Sequence, residues 1–387
     1  MRPRRPVRRP DPQHAARTAA RGCHRLAARR GRAARLPRRD RGVRTRGHAG
    51  AHRQQRHQRA LDPHPLRVSG SPDPTAEATP PRRAVSIGAV VGARLGESAT
   101  ALVDDLEIAT GLGLGHVRLT VPWSVAQPKP ATLDGGVVEQ VRATAQTVRS
   151  SGGQLWLCLL SPDVPRWFEN EGGFTDASTA RHWWPRWVEA IADAVGDDVD
   201  GWVPFEAPFA MANRLVPGDP RRHGELVDTL LVAWRDAWRL LQGPVPVATS
   251  LDVRTVVIPR DDVVAAEAAR REEHLRWHTW LRALRDGTIT IPGRADRELA
   301  DMAGACDQLG IAVSGDAGVD LEPLLHRAAE QGPDRPLALT FRPVGPDPDA
   351  RAEAVDTVLR RATELAASLP LVRATVTDLD ALAHAHA

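Results

Sequence analysis

From Val85 to Thr377, eight short apolar runs alternate with stretches of helical periodicity, and this alternation restricts the fold more than any other feature. The runs are VSIGAVV from Val85, HVRLTVPW from His116, QLWLCLLS from Gln154, WVPF from Trp202, VPVATSL from Val245, GIAVSG from Gly310, PLALTF from Pro336 and LVRATVT from Leu371. Between them the spacing predicts helices over about 99–112, 137–149, 179–195, 225–241, 262–286 and 350–368, one more ending at Gln308 and a short one before Pro336. The runs lack a polar face of period two, which is the character of parallel strands buried on both sides. Eight βα units in about 300 residues fit a (β/α)8 barrel, but a doubly wound open sheet gives the same alternation, so the pattern alone leaves both open.

The segment before these units is of another kind. Residues 1–83 hold 23 Arg, no Lys and 5 acidic residues, whereas the remainder holds 29 basic and 43 acidic residues. The basic character therefore belongs to an arm and the body, residues 84–387, is acidic. Arg, Ala, Pro and Gly without apolar pairs cannot bury enough surface to offset chain entropy, so the arm is expected to be disordered; translation upstream of the true start gives the same composition. Nucleic-acid binding is expected only through this arm, if anywhere, because the body has a single Lys, Lys129, and no basic cluster. Cys23, Cys158 and Cys306 form no paired motif, no apolar run is long enough to span a bilayer and no signal-peptide core follows the N-terminus. A cytoplasmic protein without cofactor or structural metal is the expectation.

Several strand ends narrow the choice of fold. RLTVPWSVAQP, from Arg118 to Pro128, resembles the second-strand motif R-F-S-I-S-W-S-R-I-x-P of the family 1 glycoside hydrolases, the β-glucosidase-like (β/α)8 barrels. LLSPDVPRWFENEGGF, from Leu159, resembles their L-Y-H-W-D-L-P followed by G-G-W; WVPFEAP, from Trp202, resembles W-x-T-F-N-E-P; DQLGIAVS, from Asp307, resembles D-F-I-G-x-N-Y-Y. LALTFRP, from Leu337, stands where I-T-E-N-G belongs. Five matches in order, over about residues 85–345, imply a (β/α)8 (TIM) barrel of this type that cleaves β-glycosides with retention.

The same resemblance, residue by residue, removes the chemistry. Ala207 stands at the family's acid/base and Phe341 at its nucleophile, and retaining hydrolysis needs two carboxyl groups about 5 to 5.5 Å apart. Ser161 replaces the sugar-holding His, Pro162 the adjacent Trp, and Ala312 and Val313 the sixth-strand Asn and Tyr. The opening Q-x-E-G and the C-terminal S-L-x-D-N-F-E-W have no counterpart.

Glu206 occupies the family's Asn position at the mouth of the barrel. It reads as a structural carboxylate paired with Arg118, ahead of a ligand acceptor or a relocated acid; Asp163 is the nearest other carboxylate. Arg342, beside Phe341, reverses the charge of the nucleophile position, and with Arg118 would suit an anionic ligand, although capping a neighbouring carboxylate is the commoner role. Most of the 11 Trp read as core, with Trp167 the one placed to touch a ligand. His274 and His278 have the spacing of a helical metal pair but lack a third ligand and the Glu of a zincin motif, so a solvated helix face is expected. The expected protein is a degenerate, non-catalytic family 1-like barrel that binds a carbohydrate-related or anionic small molecule or a protein partner through Arg118, Ser161, Asp163, Trp167, Glu206 and Arg342. The alternative is an active β-glycosidase using Glu206 with a repositioned second carboxylate.

Overall fold

The computed structural model describes residues 84–92, 99–160 and 164–386. The arm, residues 1–83, lies outside them, as do Ser161 and Asp163.

Eight parallel strands form one sheet: β1 Ser86–Val91, β2 His116–Thr120, β3 Gln154–Cys158, β4 Gly201–Val203, β5 Leu251–Asp252, β6 Leu309–Gly315, β7 Leu337–Pro343 and β8 Leu371–Val376. Their order is β4-β3-β2-β1-β8-β7-β6-β5, so the first strand pairs with the last. The segment entering β5 closes the ring onto β4: the Trp202 N–H donates to Pro246 O at 2.9 Å and the Ala248 N–H to Trp202 O at 2.8 Å. A closed ring of eight parallel strands is a (β/α)8 barrel, and the open-sheet alternative falls away.

Helices follow the strands in turn: α1 Ala99–Gly111, α2 Gly135–Ser150, α3 Ala177–Val195, α4 Pro220–Leu241, α5 Val263–Glu273, which runs on through a π-helical turn at His274–His278 into Thr279–Asp286, α6 Leu321–Gln331, α7 Pro348–Leu365 and α8 Leu379–His386. Aspartates set where most of them start. Asp134, Asp176, Asp219, Asp262 and Asp347 each accept hydrogen bonds from first-turn amides, and Pro at the first position reinforces α4 and α7. The helix expected to end at Gln308 is absent. Pro292-Gly293 turns the chain instead, a two-residue antiparallel ladder pairs Thr288–Ile289 with Arg297–Glu298, and Gly304 holds φ 71°, which a helix does not accept. Among the described residues no helix is long and apolar enough to cross a membrane.

Strand parity sorts the core into two parts. Outward-facing residues such as Leu119, Leu157, Leu339 and Phe341 join the helices in one large apolar cluster. A second, separate cluster of Trp156, Cys158, Val203 and Ala248 lies in the lumen. Two glycines make room inside: a Cβ on Gly201 would lie 2.4 Å from the Trp156 ring, and one on Gly88 would lie 2.5 Å from that of His116. Because the core is extensive among the described residues alone, from Ala89 to Leu382, a chain beginning near Arg82 is expected to fold and melt like the full chain. Insolubility of that shorter chain, with the full chain well folded, would contradict this.

Candidate functional site at the barrel mouth

The lumen carries charge, and cross-lumen contacts identify which side chains point inward. Arg118, on β2, donates from Nη2 to Glu206 Oε2 at 2.6 Å and from Nη1 to Thr340 Oγ1, on β7, at 3.0 Å. Strands β2 and β7 are not neighbours in the sheet, so these bonds run through the interior. Arg118 is 1% exposed, Glu206 17% and Arg342 60%. Arg342 approaches the other carboxylate oxygen, Nη2 to Oε1, at 3.6 Å from the rim. Arg118, Glu206 and Arg342, three of the residues singled out in the sequence, are thus one cluster at the C-terminal end of the strands, where βα barrels carry their sites.

Thr340 and Arg342 face the lumen, so Phe341 between them faces the other way. Its ring is fully buried in the outer cluster. The expectation that Phe341 fills the nucleophile's place at the mouth is therefore corrected: strand β7 presents threonine and arginine there. Ala207 follows Glu206 in a left-handed conformation, φ 52°, ψ 58°, at the start of the short helix Pro208–Leu215, its N–H bonded to Ser250 O at 2.8 Å. Val313 also faces outward, and Ala312, of the sixth-strand pair, faces inward.

Asp252, which sequence reasoning passed over, is the next carboxylate at this end. It accepts from the amides of Phe209 and Ala210, each at 2.9 Å, and from Arg276 Nη1 at 3.1 Å. Burial pushes its carboxyl above the usual range, against the pull of Arg276 and the two amides. Its bonds make it the anchor of the helix that follows Glu206. Trp167 sits edge-on to Trp123, Phe168 and Trp183, and its indole N–H is bonded to Gln127 O at 3.1 Å, so its polar atom is turned into the aromatic cluster. His274 is bonded to Thr290 through Nε2, and no group of side chains among the described residues could hold a metal ion.

Deeper in the lumen lie residues that the sequence reading missed. His116 is fully buried, with Nδ1 2.9 Å from Ser86 Oγ and Nε2 2.8 Å from Thr375 Oγ1. Burial, then the charges of Arg373 and Arg118, hold it neutral, well below the usual histidine range. Arg373, 5% exposed, lies with its guanidinium 3.4 Å above the Trp156 ring. It shares the inward face of Thr375, opposite Ser86 and Ala338, and a bulge at Val372 lets Leu371, paired with Leu337, turn outward instead. Cys158 lies beside the Arg118 and Glu206 pair, and burial pushes its thiol up to about 11, leaving it inert as a nucleophile. The available signal was a charged residue inside an apolar strand, in HVRLT and LVRATV, where burial without a partner is costly.

No protein-family profile matches the sequence. Solved structures do. A β-glucosidase from Exiguobacterium marinum superposes with a TM-score of 0.61 at 16% identity, over 71% of this chain and 77% of that one. A β-glycosidase from Pyrococcus horikoshii gives 0.61 at 18% identity, over 71% and 73%. The family 1 β-glucosidase of Thermotoga maritima, in complex with isofagomine lactam, gives 0.61 at 14% identity, over 71% and 76%. At such identities the likeness concerns the backbone and not the chemistry, and the chain has the (β/α)8 barrel fold of the family 1 β-glucosidases.

Proposed function

We propose that this barrel has given up glycoside hydrolysis and binds a carbohydrate-related or anionic small molecule at its mouth. One observation carries the reading: both oxygens of Glu206 face guanidinium groups, Arg118 at 2.6 Å and Arg342 at 3.6 Å. With both oxygens turned to guanidinium groups, this carboxylate serves as a counter-ion and presents neither oxygen to a leaving group. Nor does a second carboxylate stand opposite it among the described residues, because β7 offers Thr340 and Arg342 and Asp252 is engaged by two amides and Arg276. Double displacement needs one carboxyl group to attack and another to protonate the leaving oxygen. What the mouth retains is an exposed guanidinium beside a fixed, buried one, which suits recognition of hydroxyl and anionic groups without turnover.

Purified protein is expected to show no hydrolysis of aryl β-glucosides or β-galactosides above the buffer rate, and a saturable rise in melting temperature with one of glucose, cellobiose or glucose 6-phosphate. Turnover that disappears in Glu206→Gln would establish the alternative, a glycosidase working through Glu206. Melting that none of the three compounds moves would count against a sugar ligand.

A further inference from the structure

Four nitrogens inside the lumen have no hydrogen-bonding partner among the described residues: Arg118 Nε, Arg373 Nε and Nη1, and Trp156 Nε1. They belong to side chains that lie together. The Arg373 guanidinium stacks on Trp156, and Trp156 stands opposite Arg118 in the β2–β3 ladder. The charges do not balance either. Glu206 answers Arg118, whereas no ion pair joins Arg373 to a carboxylate among the described residues, and His116 beside them is neutral. An arginine does not discharge by losing its proton, so Arg373 remains a buried cation facing only the π-face of an indole.

We infer that the barrel lumen seats a small monovalent anion of the halide class between the Arg373 guanidinium, Arg118 Nε and the Trp156 indole N–H. Water would satisfy the donors but not the charge, and burial together with the nearby charge of Arg118 already works against the cationic form of Arg373. Packing limits the size. The His116 and Trp156 rings already fill the spaces that Gly88 and Gly201 leave, which argues for a single-atom ion over a phosphate or carboxylate ligand. Arg373 is held inward by regular register with both neighbouring strands, on the face of Thr375, while the bulge at Val372 sends Leu371 outward.

The test uses the full chain in sodium chloride and sodium gluconate mixed at constant ionic strength. Chloride roughly a hundredfold above its half-saturation point is expected to raise the melting temperature by about 5 °C. Arg373→Met, which keeps a long side chain on Trp156, should abolish the rise. Crystals grown in sodium bromide should show an anomalous peak within hydrogen-bonding distance of Arg373 and Trp156 Nε1. Melting that ignores chloride, a rise that survives in Arg373→Met, or a lumen holding only water in bromide crystals would each overturn the inference. Should Arg373→Met fail to fold, the chloride series and the bromide map of the parent protein decide alone. Neither readout involves sugars, so the outcome is independent of the ligand proposed for the mouth.

Discussion

Phe341→Glu is expected to unfold the barrel rather than to restore a nucleophile. The ring is wholly buried and lies on the outward face of β7, among the apolar residues beneath the helices. Truncating a buried Phe costs about 3 to 5 kcal/mol, and an unpaired buried carboxylate adds several more. The sum exceeds about 5 kcal/mol, against a total stability of about 5 to 15 kcal/mol for an ordinary domain. Urea unfolding followed by circular dichroism should find the variant largely unfolded without denaturant. Adding Ala207→Glu should not rescue it or confer aryl-glycoside cleavage, because the new carboxylate at 341 points away from the mouth. Arg342→Glu is the control: a carboxylate at a position 60% exposed, on the inward face, should leave the fold intact. A Phe341→Glu protein as stable as its parent would show that the parity of β7 has been assigned backwards.

Removing the counter-ion of Arg118 should have the next largest effect. Glu206→Ala leaves a guanidinium that is 1% exposed with one hydroxyl, Thr340 Oγ1, as its remaining strong partner among the described residues. Breaking a buried pair from one side costs about 3 to 5 kcal/mol, a fall in melting temperature of about 10 °C for a chain of this size. Removing both charges together, as Arg118→Met with Glu206→Leu, should recover most of the loss, because desolvation is then relieved on both sides. The cycle of single and double variants isolates the pair's coupling. Equal melting of Glu206→Ala and its parent would mean that the pair holds nothing together.

How far the sequence could be read follows from what each feature depends on. Most strands were legible because their outward faces are apolar and inward residues such as His116, Arg118 and Arg373 interrupt the runs only singly; the fifth run, VPVATSL, meets β5 only at Leu251. Helix starts were less so: apolar spacing begins at Val137, Thr179 and Glu225, whereas the helices begin at Gly135, Ala177 and Pro220, after aspartate caps that carry no apolar signal. The Arg118 and Glu206 contact was anticipated from motif positions, since a guanidinium in the barrel mouth calls for a counter-ion. The facing of β7 was not, because a slip of one residue in a strand exchanges its two faces and the motif LTFRP does not reveal parity. Only the partner across the lumen, Thr340 on Arg118, settles it. The bulge at Val372 was equally hidden, having no local signature in LVRATV, and with it the outward turn of Leu371.

The position of β1 between β2 and β8 also bears on how the chain is made. The strand synthesised first is bonded on one side to the strand synthesised last, with Ser86 opposite Arg373 and Ala89 opposite Val376. Until Leu371–Val376 emerges, β1 and β7 each carry a row of backbone amides and carbonyls with nothing to pair with. Such long-range closure makes folding slow and leaves the partly made chain open to sticking to its neighbours. A premature stop only a few codons ahead of Leu371 would therefore not yield a slightly shorter barrel. It would yield a sheet with two raw edges, primed to join end to end with other copies of itself.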